Sequence, residues 1–283
     1  MIAIVPYELR KENSIGRINF DQLIWIKGHP DTNGTIDSLS SKDHIIIYPS
    51  SNIWLFNYKK FKCNISLIIE EPRSVQKRYY SWLWLIRTKF HKVFVRYQCL
   101  GIKYENITSF PIAQCWTKDV DTKSQKGKER LISLIASNKD KLPGHKIRHQ
   151  IIEQFTATAT DCDVIGRGYK PFKEKKDGLL VYKFSIIIEN SKEDDYFSEK
   201  LIDCFSCMTI PIYWGASNIG DYFDIDGMII FNSIKDLQDI TRKLSEDLYF
   251  KMKPALINNR KLALNYSNTA QYIVDTLPKG ADQ

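Results

Sequence analysis

The sequence predicts an α/β protein built as two Rossmann-like, doubly wound domains facing each other. Short runs rich in β-branched residues alternate with stretches whose apolar residues recur at helical spacing. The alternation is interrupted once, by TKDVDTKSQKGKER (117–130), a polar and charged stretch without periodicity, and then resumes. A chain of 283 residues, 43% of them hydrophobic, can bury a substantial core, and its length favours two domains or one large one. The expected domains are residues 1–122 and 123–283.

In the first domain the expected strands are IAIV near the start, HIIIYP (44–49), SLIIE (66–70) and KVFVRY (92–97). Between the last two, Val75, Tyr79, Trp82, Leu83, Ile86 and Phe90 fall on one helical face, which predicts a strand, helix, strand unit. Past the linker, LISLIAS (131–137) reads as a strand. A helix follows on which Ile147, Ile151, Ile152 and Phe155 share a face, then a short strand, DVIG. Residues 182–188 form the next strand. Phe197, Leu201, Cys204, Phe205 and Met208 predict a helix over 197–208, and TIPIYW (209–214) and GMIIF (227–231) two more strands. Two helical segments close the chain.

Composition removes several classes of function. No apolar run approaches the roughly 20 residues that a membrane-spanning helix requires, and the opening MIAIVPYELRKEN is too briefly apolar for a signal peptide. Taken from Met1, this predicts a cytoplasmic protein. The six scattered cysteines predict reduced thiols and no disulfide framework. A net charge of +8 predicts an anionic partner, whether a nucleotide diphosphate, an acidic membrane surface or nucleic acid. Two basic runs, KSQKGKER (123–130) and KPFKEKK (170–176), read as solvated faces.

In doubly wound sheets, ligands bind beyond the carboxyl ends of the strands. ENSKEDDY (189–196) lies at that place, between a strand and the helix that Glu199 and Lys200 open. A helix N-terminus with free N–H groups accepts phosphate, although Glu199 in a first turn is favoured by the helix dipole with no ligand at all. Acids interleaved with Lys192 and Lys200 would suit a nucleotide sugar, whose hydroxyls need acceptors and whose diphosphate needs cations.

The stretch YKFSIIIENSKEDDYFSEKLIDCFSCMTIPIYWG, about 34 residues, resembles the signature of the α1,3-fucosyltransferase family, glycosyltransferase family ten. There a strand ending in F-E-N-S is followed by D-Y-x-T-E-K and, after a helix, by V/I-P-hydrophobic-hydrophobic-x-G. The matches include Tyr182, Lys183, Phe184, Glu189, Asn190, Ser191, Asp195, Tyr196, Glu199, Lys200, Pro211 and Gly215, while Ile188 and Ser198 depart from it. SNKDKLPGHKIRHQII resembles the segment carrying a donor-binding arginine, at Arg148, and DVIGRGYK a strand and glycine turn. LIIEEPRS resembles the strand end with the catalytic acid, at Glu70, with Glu71 as its rival.

The resemblance implies a GT-B fold with a central cleft and an inverting transfer of fucose from GDP-fucose to a glycan hydroxyl, with Glu70 or Glu71 as base. It implies a donor site of Arg148, Glu189, Asn190, Ser191, Tyr196, Glu199 and Lys200, without a metal or other cofactor. The alternatives are a different nucleotide sugar, or a non-catalytic binder of a nucleotide sugar or an anionic polymer. Nucleic acid is not expected as a partner, and peripheral attachment to a membrane stays open.

Three Asp-x-Asp triplets, at 119–121, 161–163 and 224–226, could hold a divalent ion on a diphosphate, but none coincides with the motif. Cys204-Phe-Ser-Cys207 falls late in a helix and reads as core, since a thioredoxin-like pair sits at a helix start. RYYSWLWLIRTKFHKVF mixes bases with aromatics, and its helical stripe assigns most of them to the core.

Overall fold

A computed structural model describes residues 1–12, 14–97, 104–117, 120 and 127–277. Two compact units emerge, Met1–Pro111 with Thr269–Gln283, and Ile112–Asn268.

The first unit holds strands β1 (Ile2–Ile4), β2 (Ile24–Lys27), β3 (His44–Ile47), β4 (Asn64–Ile69), β5 (Val93–Val95) and β6 (Ile107–Ser109). They form one sheet in the order β2-β1-β3-β4-β5-β6, parallel except for the antiparallel edge strand β2. The unbroken apolar runs of β3 and β4 are buried throughout, as parallel strands covered on both faces require. Strands β2 and β6 escape the sequence reading. β2, Ile-Trp-Ile-Lys, is an antiparallel edge strand with no fully buried residue.

The helix expected between β4 and β5 is not continuous. It is broken into α1 (Arg73–Ser81), α2 (Leu83–Ile86) and a 3₁₀ turn over Arg87–Lys89, with non-helical backbone at Gln76 and Trp82. Leu83, Ile86 and Phe90 are buried, whereas Val75 and Trp82 are exposed. The stripe is fully buried at Leu83, Ile86 and Phe90, while in α1 Tyr79 is only partly buried against the core.

In the second unit, β7 (Arg130–Ile135), β8 (Asp163–Ile165), β9 (Tyr182–Ile188), β10 (Ile210–Trp214) and β11 (Ile229–Ile230) form an all-parallel sheet ordered β8-β7-β9-β10-β11. Strand order reverses between β7 and β9, which defines a topological switch point. Helices α3 (Pro143–Ala157), α4 (Glu199–Ser206), α5 (Ile234–Thr241) and α6 (Glu246–Asn265) belong to this unit. α7 (Thr269–Thr276) is grouped with the first. Three helices therefore close the chain where two segments were expected.

The unit boundaries also differ from 122/123, for a physical reason. The Ala113 N–H donates to the Tyr266 carbonyl at 2.8 Å, and the backbone of Trp116 and Thr117 is tied to Asp203. Residues 112–117 thus pack with the second unit. In α7, the Tyr272 hydroxyl donates to the Ser109 carbonyl at 2.5 Å and its ring meets Phe110 edge-on, which returns the chain end to the first unit.

Candidate functional site

Beyond the carboxyl ends of β7, β8 and β9 lies a cavity of about 410 Å³. Arg148, Arg167, Lys175, Lys200 and Glu199 line it, with Trp116 and Phe172 as flat aromatic walls. It sits at the strand-order reversal, where a sheet of this kind leaves a crevice.

Three local features shape this end of the sheet. In α3, Pro143 occupies the first turn, where its missing N–H is no loss. Gly144 follows it against β9, its N–H donating to the Asn190 carbonyl at 3.1 Å; a Cβ there would stand 1.7 Å from the Glu189 carbonyl oxygen. Gly166 takes φ +131, and a Cβ on it would lie 2.0 Å from the Ala136 carbonyl oxygen, so the turn carrying Arg167 is pressed onto the end of β7. The third is α4, whose N-cap Ser198 accepts from the Lys200 N–H.

Arg148 lies on the buried stripe of α3 with Ile151 and Phe155, not on its solvent face. Its Nη2 donates to the Ile188 carbonyl at 2.7 Å and to Asn190 Oδ1 at 3.4 Å. Burial lowers its pKa, against the pull of Glu189, Tyr196 and Glu199.

Glu199 and Lys200 stand together as the sequence suggested. Lys200 Nζ donates to Ser198 Oγ at 2.9 Å and lies 3.4 Å from Glu199 Oε1 and 3.5 Å from Glu189 Oε2. Lys175 Nζ lies 3.7 Å from Glu199 Oε1 and 2.7 Å from Asp203 Oδ2, the shorter contact an ion pair without hydrogen-bond angles. Burial raises the Glu199 pKa, but Lys200 and Lys175 outweigh it and hold the carboxyl below its ordinary value.

Lys175 was not foreseen. It comes from the KPFKEKK run read as a solvated face, and its ammonium sits 4.4 Å from the centroid of the Trp116 ring. Asp203, wholly buried, ties this corner together by accepting from the backbone of Trp116 and Thr117 at 2.7 and 3.2 Å. Arg167 and Phe172 also line the cavity, and only the glycine turn DVIGRGYK hinted at the first of them.

Other residues of the expected donor set serve the frame. Glu189 is wholly buried and accepts from the Ser198 N–H at 2.9 Å and the Ser198 hydroxyl at 2.6 Å. Asn190 holds Arg148 and the start of α3, and Ser191 is buried with its hydroxyl unpartnered. Tyr196 is buried too. The neighbouring Asp195 accepts from Tyr222 Oη at 2.7 Å and Asn218 Nδ2 at 2.8 Å. Two of the loop's four acids, Glu189 and Asp195, are thus engaged inside the protein.

Glu70 and Glu71 belong to the first unit, immediately beyond the end of β4. The Glu70 carbonyl accepts from Arg96 Nε at 2.7 Å, and the Glu71 carbonyl from Tyr80 Oη at 3.2 Å. Burial raises the Glu70 pKa; Arg96 opposes this and Glu71 adds to it.

The remaining motifs have structural uses. Asp163 binds Arg130 and Tyr182, and Asp224 caps the turn at Asp226; Asp119 and Asp121 lie outside the described residues. Cys204 and Cys207 are buried, and burial raises both thiols, Cys207 to about 12. Among the described residues no three His, Cys, Asp or Glu side chains gather into a metal-binding group. No described helix is long and apolar enough to cross a membrane.

Two α/β units with parallel sheets, one carrying a cation-lined cavity at its switch point, give the chain the GT-B glycosyltransferase fold. A crystal structure of an alpha1,3-fucosyltransferase superposes with a TM-score of 0.51 over 80% of this chain and 78% of that one, at 16% identity. Residues 125–251 match the family model "Glycosyltransferase family 10 (fucosyltransferase) C-term". An Alpha-(1,4)-fucosyltransferase of Arabidopsis thaliana is 34% identical over 101 residues, 34% of this chain and 25% of that protein. The Alpha-(1,3)-fucosyltransferase FucT of Helicobacter pylori is 29% identical over 126 residues, 42% of this chain and 25% of that protein. The matched region spans a quarter of the length of each of these relatives.

Proposed function

We propose that the chain transfers fucose from GDP-fucose to a hydroxyl of a glycan acceptor. The carrying observation is the cavity at the β7/β9 reversal, where among the described residues Arg148, Arg167, Lys175 and Lys200 outnumber the single carboxylate of Glu199. A diphosphate there would meet a planar guanidinium suited to paired contacts and ammonium groups acting as point charges. Trp116 and Phe172 offer faces against which a base or sugar ring can lie. The match of residues 125–251 to the fucosyltransferase family model and the names of the two relatives support fucose as the sugar.

In the reaction we infer, the acceptor oxygen attacks the anomeric carbon as its proton passes to Glu70. The bond from that carbon to the diphosphate oxygen breaks on the opposite side, inverting the centre, and GDP leaves with the electron pair. Charge grows on the departing diphosphate, where fixed cations stabilise it without reorganising. Donor binding is read as independent of metal, since Arg148 and Lys200 supply the positive charge. The two relatives carry different linkage names, so linkage is to be assigned from the product.

Calorimetric titration with GDP-fucose in EDTA, beside GDP and UDP-galactose, tests the reading. Lys200→Ala is expected to weaken GDP-fucose binding about 10- to 100-fold, as for loss of one charge-assisted contact. Binding of a UDP-sugar alone, or GDP-fucose binding indifferent to Lys200→Ala, would refute it.

A further inference from the structure

At the amino end of the same sheet, opposite the donor cavity, a second concavity of about 800 Å³ runs along α6. Helix α6 is apolar on two faces. Tyr249, Leu256 and Ala263 point into the core. One residue further on in each heptad, Phe250, Ile257 and Leu264 are 55%, 43% and 64% exposed. Fourteen residues of helix make this outer stripe about 21 Å long.

The flanks of the stripe are basic. Lys253 and Lys261 line the same groove and enter no ion pair within the described residues. Lys128 and Lys183 line its far wall, and among the described residues Glu246 is its one acid, already paired with Lys183 at 3.2 Å.

We propose that this face of α6 docks on an anionic lipid surface, with Phe250, Ile257 and Leu264 entering the boundary between headgroups and acyl chains and Lys253 and Lys261 meeting lipid phosphates. A continuous coiled-coil partner fits poorly, because the positions between the apolar residues hold Lys253 and Arg260 where a second apolar seam would be required. Apolar side chains flanked by lysines are what an interfacial helix presents to an acidic bilayer.

The test is co-sedimentation of the full chain with phosphatidylcholine vesicles, with and without phosphatidylglycerol, at low and high salt. Binding is expected only with phosphatidylglycerol, falling as salt rises. Lys253→Glu with Lys261→Glu should weaken it on the order of tenfold or more, and Phe250→Ser, Ile257→Ser and Leu264→Ser together should abolish it. These exposed substitutions should leave the melting temperature and GDP binding unchanged, which separates lost docking from lost folding. Equal binding to both vesicle types, no binding to either, or binding that survives in both variants overturns the proposal. A dimer dispersed by the serine variant, without vesicle binding, would assign the stripe to a second copy instead.

Discussion

The carboxylate of Glu189 receives both the N–H and the hydroxyl of Ser198, at 2.9 and 2.6 Å. One buried acid thereby fixes the start of α4, the helix that presents Glu199 and Lys200 to the cavity. Glu189→Ala would leave the Ser198 donors and Lys200 without this acceptor, at a cost of about 2–3 kcal/mol. Urea unfolding should show that loss, and Glu189→Gln, which keeps one acceptor oxygen, should lose less. Unchanged stability in the alanine variant would mean that Glu189 does not hold the loop.

Gly144 offers a steric counterpart. With a Cβ at 1.7 Å from the Glu189 carbonyl oxygen, Gly144→Ala must push α3 off β9. We expect about 1–3 kcal/mol of lost stability, the ordinary range for overpacking. Nucleotide affinity should weaken in parallel, because Arg148 rides on the same helix. A variant with full stability and affinity would contradict the close approach.

For Glu70 the readout is pH. Burial raises its pKa, so the carboxyl keeps its proton above the ordinary glutamate value of about 4.3. A base must be deprotonated, so kcat/KM should rise with pH through an acid limb lying above that value. Glu70→Gln should reduce transfer by about 100-fold or more and leave GDP-fucose binding intact. Full activity in this variant would shift the assignment to Glu71.

His44 should make the first unit sensitive to acid. Burial, followed by the nearby His91 and Lys92, lowers its pKa from 6.5 to about 3, and its Nε2 lies 2.7 Å from Ser66 Oγ. Below pH 6.5 the unfolded chain takes up a proton that the folded protein refuses, so stability falls as pH drops toward 3. The loss should reach about 2 kcal/mol by pH 5. His44→Gln should flatten this part of the stability profile, and a slope that persists would place the titration elsewhere.

Much of this architecture was legible because burial on both faces writes itself into composition. HIII and YKFSIII are runs that only covered parallel strands accommodate, and β9 spans Tyr182–Ile188 as read. The edge strands of the first sheet and the broken helix after β4 were not legible. β2 has no fully buried residue, and no proline or glycine marks the break at Trp82.

The sequence by itself determined the α/β class, the strand and helix that flank ENSKEDDY, and the neighbouring pair Glu199 and Lys200, since each depends on local spacing. Only the tertiary structure decided how the charges are used. It brought Lys175 from a run that looked solvated to within 3.7 Å of Glu199, and turned Glu189 and Asp195 inward to hold the frame. Charge in a sequence carries a sign and no direction, and a side chain becomes part of a site or a scaffold only when strands distant in the chain set its neighbours.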